Sequence, residues 1–491
     1  MSIRPEVKKQ YGLVPNYING AWVNSMSTEV LDVENPATGE VIGQVPLSTK
    51  GEVDAAVRAA SVAFPGWRDT PPQQRVQYLF RLKVLVEEHQ DEMARIIVQE
   101  EGKTYREAFG EVGRGIENIE RAAGIPSLMM GRNLEEVARG IDEYELRQPL
   151  GVFCCIAPFN FPAMIPLWFL PYAVACGNTY VVKPSEQVPL TQNRLFQLIH
   201  QAGFPEGVLN LVNGAKDVVD ALLDHPDIRG VSFVGSTPVA QHVYSRAAAN
   251  GKRAQCQAGA KNYLVVMPDA DLEATVDALI ESCFGSAGER CLAGSVVVPV
   301  GDITEPLQGA LTDAARAMKV GYGLDDSVHM GPVISARHRD RVLAYIERGV
   351  QEGARLILDG RTTPPPNRSG YFVNPTIFEG VTPEMTIARE EIFGPVASIM
   401  PARSLDEALD FISRIPYGNS ASIFTKSGKW AREFQHRVVA GNVGINVGIP
   451  APVAPFPFSG AKRSFFGDLH GQGIDSIFFF TERKVVITRW W

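Results

Sequence analysis

Residues 151–158, GVFCCIAP, followed by TYVVKPS at 179–185, LNLVNG at 209–214 and GVSFVGS at 230–236, decide how this chain folds. Each is a short apolar run closed by Pro, Gly, Asn or Ser, and helix-like segments lie between them. Strands buried on both faces read this way, so the pattern predicts parallel β/α units. A fifth run, NYLVVMPD at 262–269, is followed by helix-like EATVDALIESCFGSA and strand-like SVVVPV, PVASIM, ASIFTK and VGINVG. The rhythm restarts after Ala260, which predicts two α/β units meeting near residue 260.

Composition agrees with more than one unit, because 491 residues exceed the size at which a single core keeps growing. A net charge of −8 argues against nucleic acid or an anionic membrane as partner. The apolar stretch Val152 to Cys176 carries Pro158, Pro162, Pro166, Pro171 and Asn160, so it reads as buried core plus a loop rather than a membrane span. Six cysteines without a CxxC or a Cys/His cluster exclude a disulfide scaffold and a zinc site, and predict a reducing compartment. The first twenty residues have neither the apolar core of a secretion signal nor the look of a transit peptide, so a cytoplasmic protein is expected.

Locally, NYINGAWVN predicts a hairpin turning at Asn19-Gly20. Thr49 and Glu52 have capping-box spacing ahead of VDAAVRAASVAF, and QYLFRLKVLVEEHQDEMARIIVQEEG reads as a long amphipathic helical region closed by Gly102. Two pieces fit neither unit: DEYELRQPL at 142–150 and the tail SIFFFTERKVVITRWW. Both read as β-ribbon with an exposed apolar face that seeks a partner chain.

No GxGxxG, Walker loop or HExxH occurs. GVSFVGSTPVAQHV runs from a strand through Gly235-Ser236 into a helix whose free N–H groups could hold a phosphate. VVKPSEQVP places Lys183 and Glu186 at the carboxyl edge of a strand, where they could bracket a ribose or simply be solvated. Cys291 sits in a Gly-rich break beside Arg290, whose charge is expected to lower the thiol pKa, whereas Cys154, Cys155, Cys176, Cys256 and Cys283 read as inert buried residues.

In order and spacing, APFNFP, VVKPSEQVP, FVGSTPV, AGAKN, AGERC, REEIFGPV and GINVG resemble the aldehyde dehydrogenase superfamily over nearly the whole chain. GEVGRGIEN, PSLMMG, GNTYVVKPSEQVPL, FGSAGERC and PFPFSGAKRSFFGDLH are similar to its CoA-acylating methylmalonate-semialdehyde dehydrogenase branch. The resemblance implies an α/β protein with an NAD-binding domain over 1–137 and 159–258, a catalytic domain over 259–450, and an oligomerisation ribbon over 138–158 and 471–491. A homodimer or homotetramer is implied with it.

Residue by residue, the resemblance implies Cys291 as nucleophile and Asn160 as the side chain that shares the oxyanion with the Cys291 N–H. It implies Phe159, Lys183, Glu186, Gly235, Ser236, Glu391 and Phe393 as NAD contacts, with Glu186 disfavouring the 2′-phosphate of NADP. Arg114 and Arg290 are the implied partners of a substrate carboxylate, and either could instead be a structural ion-pair partner. The implied activity is NAD-dependent oxidation of methylmalonate or malonate semialdehyde with loss of CO2, giving propionyl-CoA or acetyl-CoA with coenzyme A as co-substrate.

One position departs from the superfamily. Gln257 in QCQAGAKN stands where hydrolytic members carry a glutamate that activates water, and an amide cannot take that proton near neutral pH. A thiol needs less help, so transfer to coenzyme A is favoured over hydrolysis. The competing expectation is a hydrolytic aldehyde dehydrogenase with another base, Asp468 of FFGDLHGQG being the nearest candidate.

Overall fold

The computed structural model describes residues 3–491, and it resolves the apolar runs into strands of two large sheets. Leu209–Leu211, Thr179–Lys183, Val152–Ile156, Ile228–Val234 and Arg253–Gln257 lie side by side and parallel. Valines, isoleucines and cysteines on both faces of these strands are buried, which explains the absence of polar alternation. Antiparallel edges complete the sheet: the hairpin Asn16–Ile18 and Ala21–Val23 on one side, Phe465–Phe466 on the other. Asn19 and Gly20 have φ of 51° and 80°, the left-handed pair that a tight hairpin requires.

The second sheet is parallel through Thr376–Glu379, Val396–Ile399, Gly294–Pro299, Asn262–Val266, Ser420–Phe424 and Asn442–Ile445, with Arg355–Leu358 antiparallel at its edge. Each sheet has its own packed core. The expected restart after Ala260 is the passage from Arg253–Gln257, the last parallel strand of the first sheet, to Asn262–Val266 in the middle of the second.

The third sheet corrects the ribbon boundaries. Thr481–Arg489 pairs along its whole length with Ile141–Pro149, which pairs in turn with Asn133–Ala138. Residues 152–156, expected within the ribbon, instead supply a central strand of the first sheet, and residues 473–480 of the tail are a helix. The run IFFF has no polar alternation, and a helix lets Ile477, Phe479 and Phe480 sink into the first core while Arg253 Nη1 caps the Phe478, Phe479 and Thr481 carbonyls at 2.8–3.1 Å. The long helical region also divides, into Pro72–Glu88 and Gln90–Glu101, because His89 leaves the helical basin and its ring nitrogen bonds the Leu85 carbonyl at 2.8 Å. Gly102 closes it as expected, left-handed at φ 102°.

Candidate active site

In the first sheet the chain order runs outward in both directions from the seam between Val152–Ile156 and Ile228–Val234. Open α/β sheets bind ligands outside the carboxyl ends of their strands at such a reversal. A cavity of about 600 Å³ lies there, lined by Ile156 and Ala157 from one strand end and by Phe233, Val234 and Gly235 from the other. Phe159, Asn160, Lys183, Glu186, Ser236, Cys291, Glu391 and Phe393 reach the same cavity. Residues separated by over two hundred positions thus share one wall.

The cavity suits a dinucleotide at both ends. Ser236 precedes the helix Thr237–Ala249 and makes no side-chain cap, so the first N–H groups of that helix stay open to an anion. Lys183 Nζ lies 2.9 Å from Glu186 Oε2. Burial alone would raise the Glu186 carboxyl, but the Lys183 ammonium outweighs it and holds the group below the usual range. A fixed carboxylate accepts from ribose hydroxyls and repels a 2′-phosphate. At the other end Glu391 Oε1 accepts from the Ala260 N–H at 2.8 Å, and burial pushes its carboxyl up to about 7. Phe393 adopts φ 59°, held by His338 Nε2 on its carbonyl at 2.6 Å.

The loop leading into Cys291 is built from backbone that few residues tolerate. Ser286, Ala287 and Gly288 all lie in the left-handed region, and a side chain at Gly288 would collide with the Gly394 carbonyl. Two asparagine amides then fix the Cys291 carbonyl: Asn262 Nδ2 at 2.9 Å and Asn419 Nδ2 at 2.8 Å. Cys291 alone of the six cysteines is half-exposed, and all six are free.

These geometric observations coincide with sequence comparisons. The profile of the aldehyde dehydrogenase family matches residues 22–486. The chain belongs to the aldehyde dehydrogenase family. It is 52% identical over 475 residues to malonate-semialdehyde dehydrogenase 2 of Geobacillus kaustophilus (strain HTA426), covering 97% of this chain and 98% of that one. The malonate-semialdehyde dehydrogenase of Halalkalibacterium halodurans is 50% identical, with the same coverage of each chain. Among solved structures, a methylmalonate-semialdehyde dehydrogenase from Oceanimonas doudoroffii superposes with a TM-score of 0.96 at 46% identity, covering 98% of this chain and 99% of that one. A protein of Sinorhizobium meliloti 1021 assigned the same activity, solved with NAD, gives 0.96 at 44% identity with 98% of each chain covered.

Two expectations for this aldehyde dehydrogenase need correction, those for the effect of Arg290 on Cys291 and for Asp468. Arg290 does not lower the Cys291 pKa, because its guanidinium turns away to Glu107 Oε1 at 2.9 Å and Ser286 Oγ at 3.1 Å. Burial, reinforced by the Glu391 carboxylate, instead pushes the Cys291 thiol up to about 12. Cys154, Cys176 and Cys283 are pushed as high by burial, so access to the cavity and not acidity sets Cys291 apart. Arg114 lies outside the lining of this cavity, paired with Glu117 at 2.6 Å and donating to the Pro452 carbonyl at 2.6 Å. Asp468, the alternative base, lines a different cavity beside Arg132, Arg147 and Arg253.

Gln257 is fully engaged. Oriented to satisfy both ends, its nitrogen donates to the Phe233 carbonyl and its oxygen accepts from the Gly471 N–H, each at 2.9 Å. The residues that sequence reasoning passed over are the supporting ones: Asn262, Asn419 and His338 carried no local signal beyond being polar. Among the described residues no group of three or more His, Cys, Asp or Glu is placed to hold a metal, and no helix is long and apolar enough to cross a membrane.

Proposed function

We propose that this aldehyde dehydrogenase oxidises malonate semialdehyde or methylmalonate semialdehyde and passes the acyl group to coenzyme A with loss of CO2. The observation that carries the chemistry is the convergence of Cys291, Asn160 and the whole nucleotide set on one cavity. The substrate class comes from the names of relatives about half identical over almost the full chain.

The Cys291 thiol gives its proton to water and attacks the aldehyde carbon as thiolate, and the oxygen that gains charge is met by the Cys291 N–H and the Asn160 amide. Lys183, Glu186 and the Gly235-Ser236 turn would hold NAD in the cavity, and the bound nucleotide would supply the acceptor for the hydride that leaves the same carbon. The resulting Cys291 thioester carries a β-carboxylate; the C–C bond breaks, CO2 leaves, and the electron pair rests on the thioester oxygen as an enolate before carbon takes a proton. With Gln257 holding Phe233 and Gly471 there is no carboxylate at that position to activate water. The coenzyme A thiolate then attacks the thioester and Cys291 leaves.

For the substrate carboxylate, Arg114 is the proposed cation. Its ion pair with Glu117 is partly exposed, and such pairs exchange partners at little cost. Arg290 is bound to a Glu107 that is nearly buried, and it serves the loop rather than the substrate. Self-association through the ribbon and the exposed Val485, Ile487 and Trp490 belongs to the same proposal. Product analysis of both semialdehydes with NAD and coenzyme A tests it: acyl-CoA, CO2 and NADH should form in equal amounts, and free acid forming equally well with and without coenzyme A would refute acyl transfer.

A further inference from the structure

The loop that carries Asn160 is anchored from below by charge. Lys103, fully buried, places Nζ 2.6 Å from the Asn160 carbonyl oxygen and 2.7 Å from Glu111 Oε2, with the Phe161 ring centroid 4.1 Å away. Glu111, also fully buried, uses its other oxygen to accept from the backbone N–H groups of Ala163 at 2.8 Å and Met164 at 3.2 Å. One ion pair therefore grips the loop on both sides of Asn160: at its own carbonyl and at the start of the helix Met164–Cys176. Above, Asn160 Nδ2 donates to the Glu289 carbonyl at 2.8 Å, two residues before the nucleophile.

Stability does not explain this arrangement. Removing two charges from water costs more than their attraction returns in many proteins, and a neutral pair of the same shape often serves the fold as well. Burial works against the Lys103 charge, but Glu101, whose Oε1 is 3.7 Å away, and Glu111 outweigh it and keep the ammonium. What an apolar pair cannot supply is a donor held against the Asn160 carbonyl. An oxyanion donor displaced by a fraction of an ångström stabilises the ground state and the transition state alike, and its catalytic value is lost.

We propose that Lys103 and Glu111 are positioning residues whose buried ion pair sets the Asn160 amide for the oxyanion formed at Cys291. The inference rests on the reading of Asn160 given above, and the test separates the two. Lys103→Met/Glu111→Gln keeps an acceptor for Ala163 and Met164 and removes both charges together. It should lose about tenfold to a hundredfold in kcat. KM for NAD and the rate of Cys291 alkylation by iodoacetamide should stay within twofold, since neither the nucleotide wall nor the thiol has moved. In an Asn160→Ala background the same double change should cost less than twofold.

If the double variant does not fold, Glu111→Gln alone decides, with an expected kcat loss of about threefold to tenfold and the same constancy of KM and alkylation. A kcat within twofold of the parent in the variant that decides overturns the proposal, as does an undiminished loss in the Asn160→Ala background or a parallel fall in alkylation. An active Asn160→Ala would instead remove the oxyanion reading on which the positioning role depends.

Discussion

Cys291 opens to the cavity, and its thiol chemistry is made harder by its surroundings. Because burial and the Glu391 carboxylate raise its pKa to about 12, alkylation of the free protein by iodoacetamide should rise about tenfold per pH unit from pH 7 to 10 without a plateau. A plateau near pH 8 would mean that a cation lies closer to the sulfur than Arg290 does. Cys291→Ala should abolish NADH formation, whereas Cys256→Ala, off the cavity, should leave turnover within a few-fold.

Gln257 makes the second residue-scale prediction. In Gln257→Glu the introduced carboxylate keeps the Gly471 N–H but faces the Phe233 carbonyl without a proton to offer. Leaving a buried acceptor opposite another acceptor costs about 1–3 kcal/mol. Protonation relieves it, so the folded-state pKa of the introduced group lies above its unfolded value. Stability is then retained at low pH and lost as pH rises through the folded pKa. The melting temperature of the variant relative to the parent should be lower at pH 8 than at pH 5.5, and free acid without coenzyme A should rise by far less than the hundredfold that a well-placed base gives. Equal melting temperatures across pH with a large gain in acid would show that the carboxylate swings free of Phe233 and reaches the thioester.

At the scale of elements, the tail contains two parts with different duties. The helix Gly473–Phe480 is core, with Ile477 and Phe480 fully buried, while the strand Thr481–Arg489, beyond its buried first residue, pairs with the ribbon and leaves Val485 and Ile487 exposed. Truncation before Ile477 should therefore yield aggregates. Truncation after Phe480 should keep the fold, by circular dichroism, and lower the molecular mass in solution. An unchanged mass after the shorter truncation would place self-association elsewhere.

For the whole molecule, the cavity depends on the two sheets meeting: Lys183 and Glu186 come from the first, and the loop of Glu391 and Phe393 lies beside the second. NAD at about a hundredfold its Kd should stabilise the native state by about 2.7 kcal/mol, seen as an upward shift in melting temperature. NADP should do so much less, and Glu186→Gln should narrow the difference by weakening the repulsion of a 2′-phosphate. Equal shifts by both nucleotides in the parent would contradict the role given to Glu186.

The strands were legible in the chain because a strand buried on both faces has to be apolar throughout, and its ends need Gly, Pro or Asn; GVFCCIAP and TYVVKPS could scarcely be anything else. The residues that line the cavity, Cys291 and the Lys183, Gly235 and Glu391 segments among them, could be picked out because their motifs are local, a few residues each. What a charged side chain touches is not local. Arg290 stands next to Cys291 in sequence, yet its guanidinium answers to Glu107, 183 residues away, and so leaves the thiol in its raised, protonated state. Gln257 could be read as a missing base, but only the approach of Phe233 and Gly471 makes its amide a strut. Burial decides such matters, because a polar group taken out of water binds whatever partner the fold brings within three ångströms, and chain order says little about which partner that is.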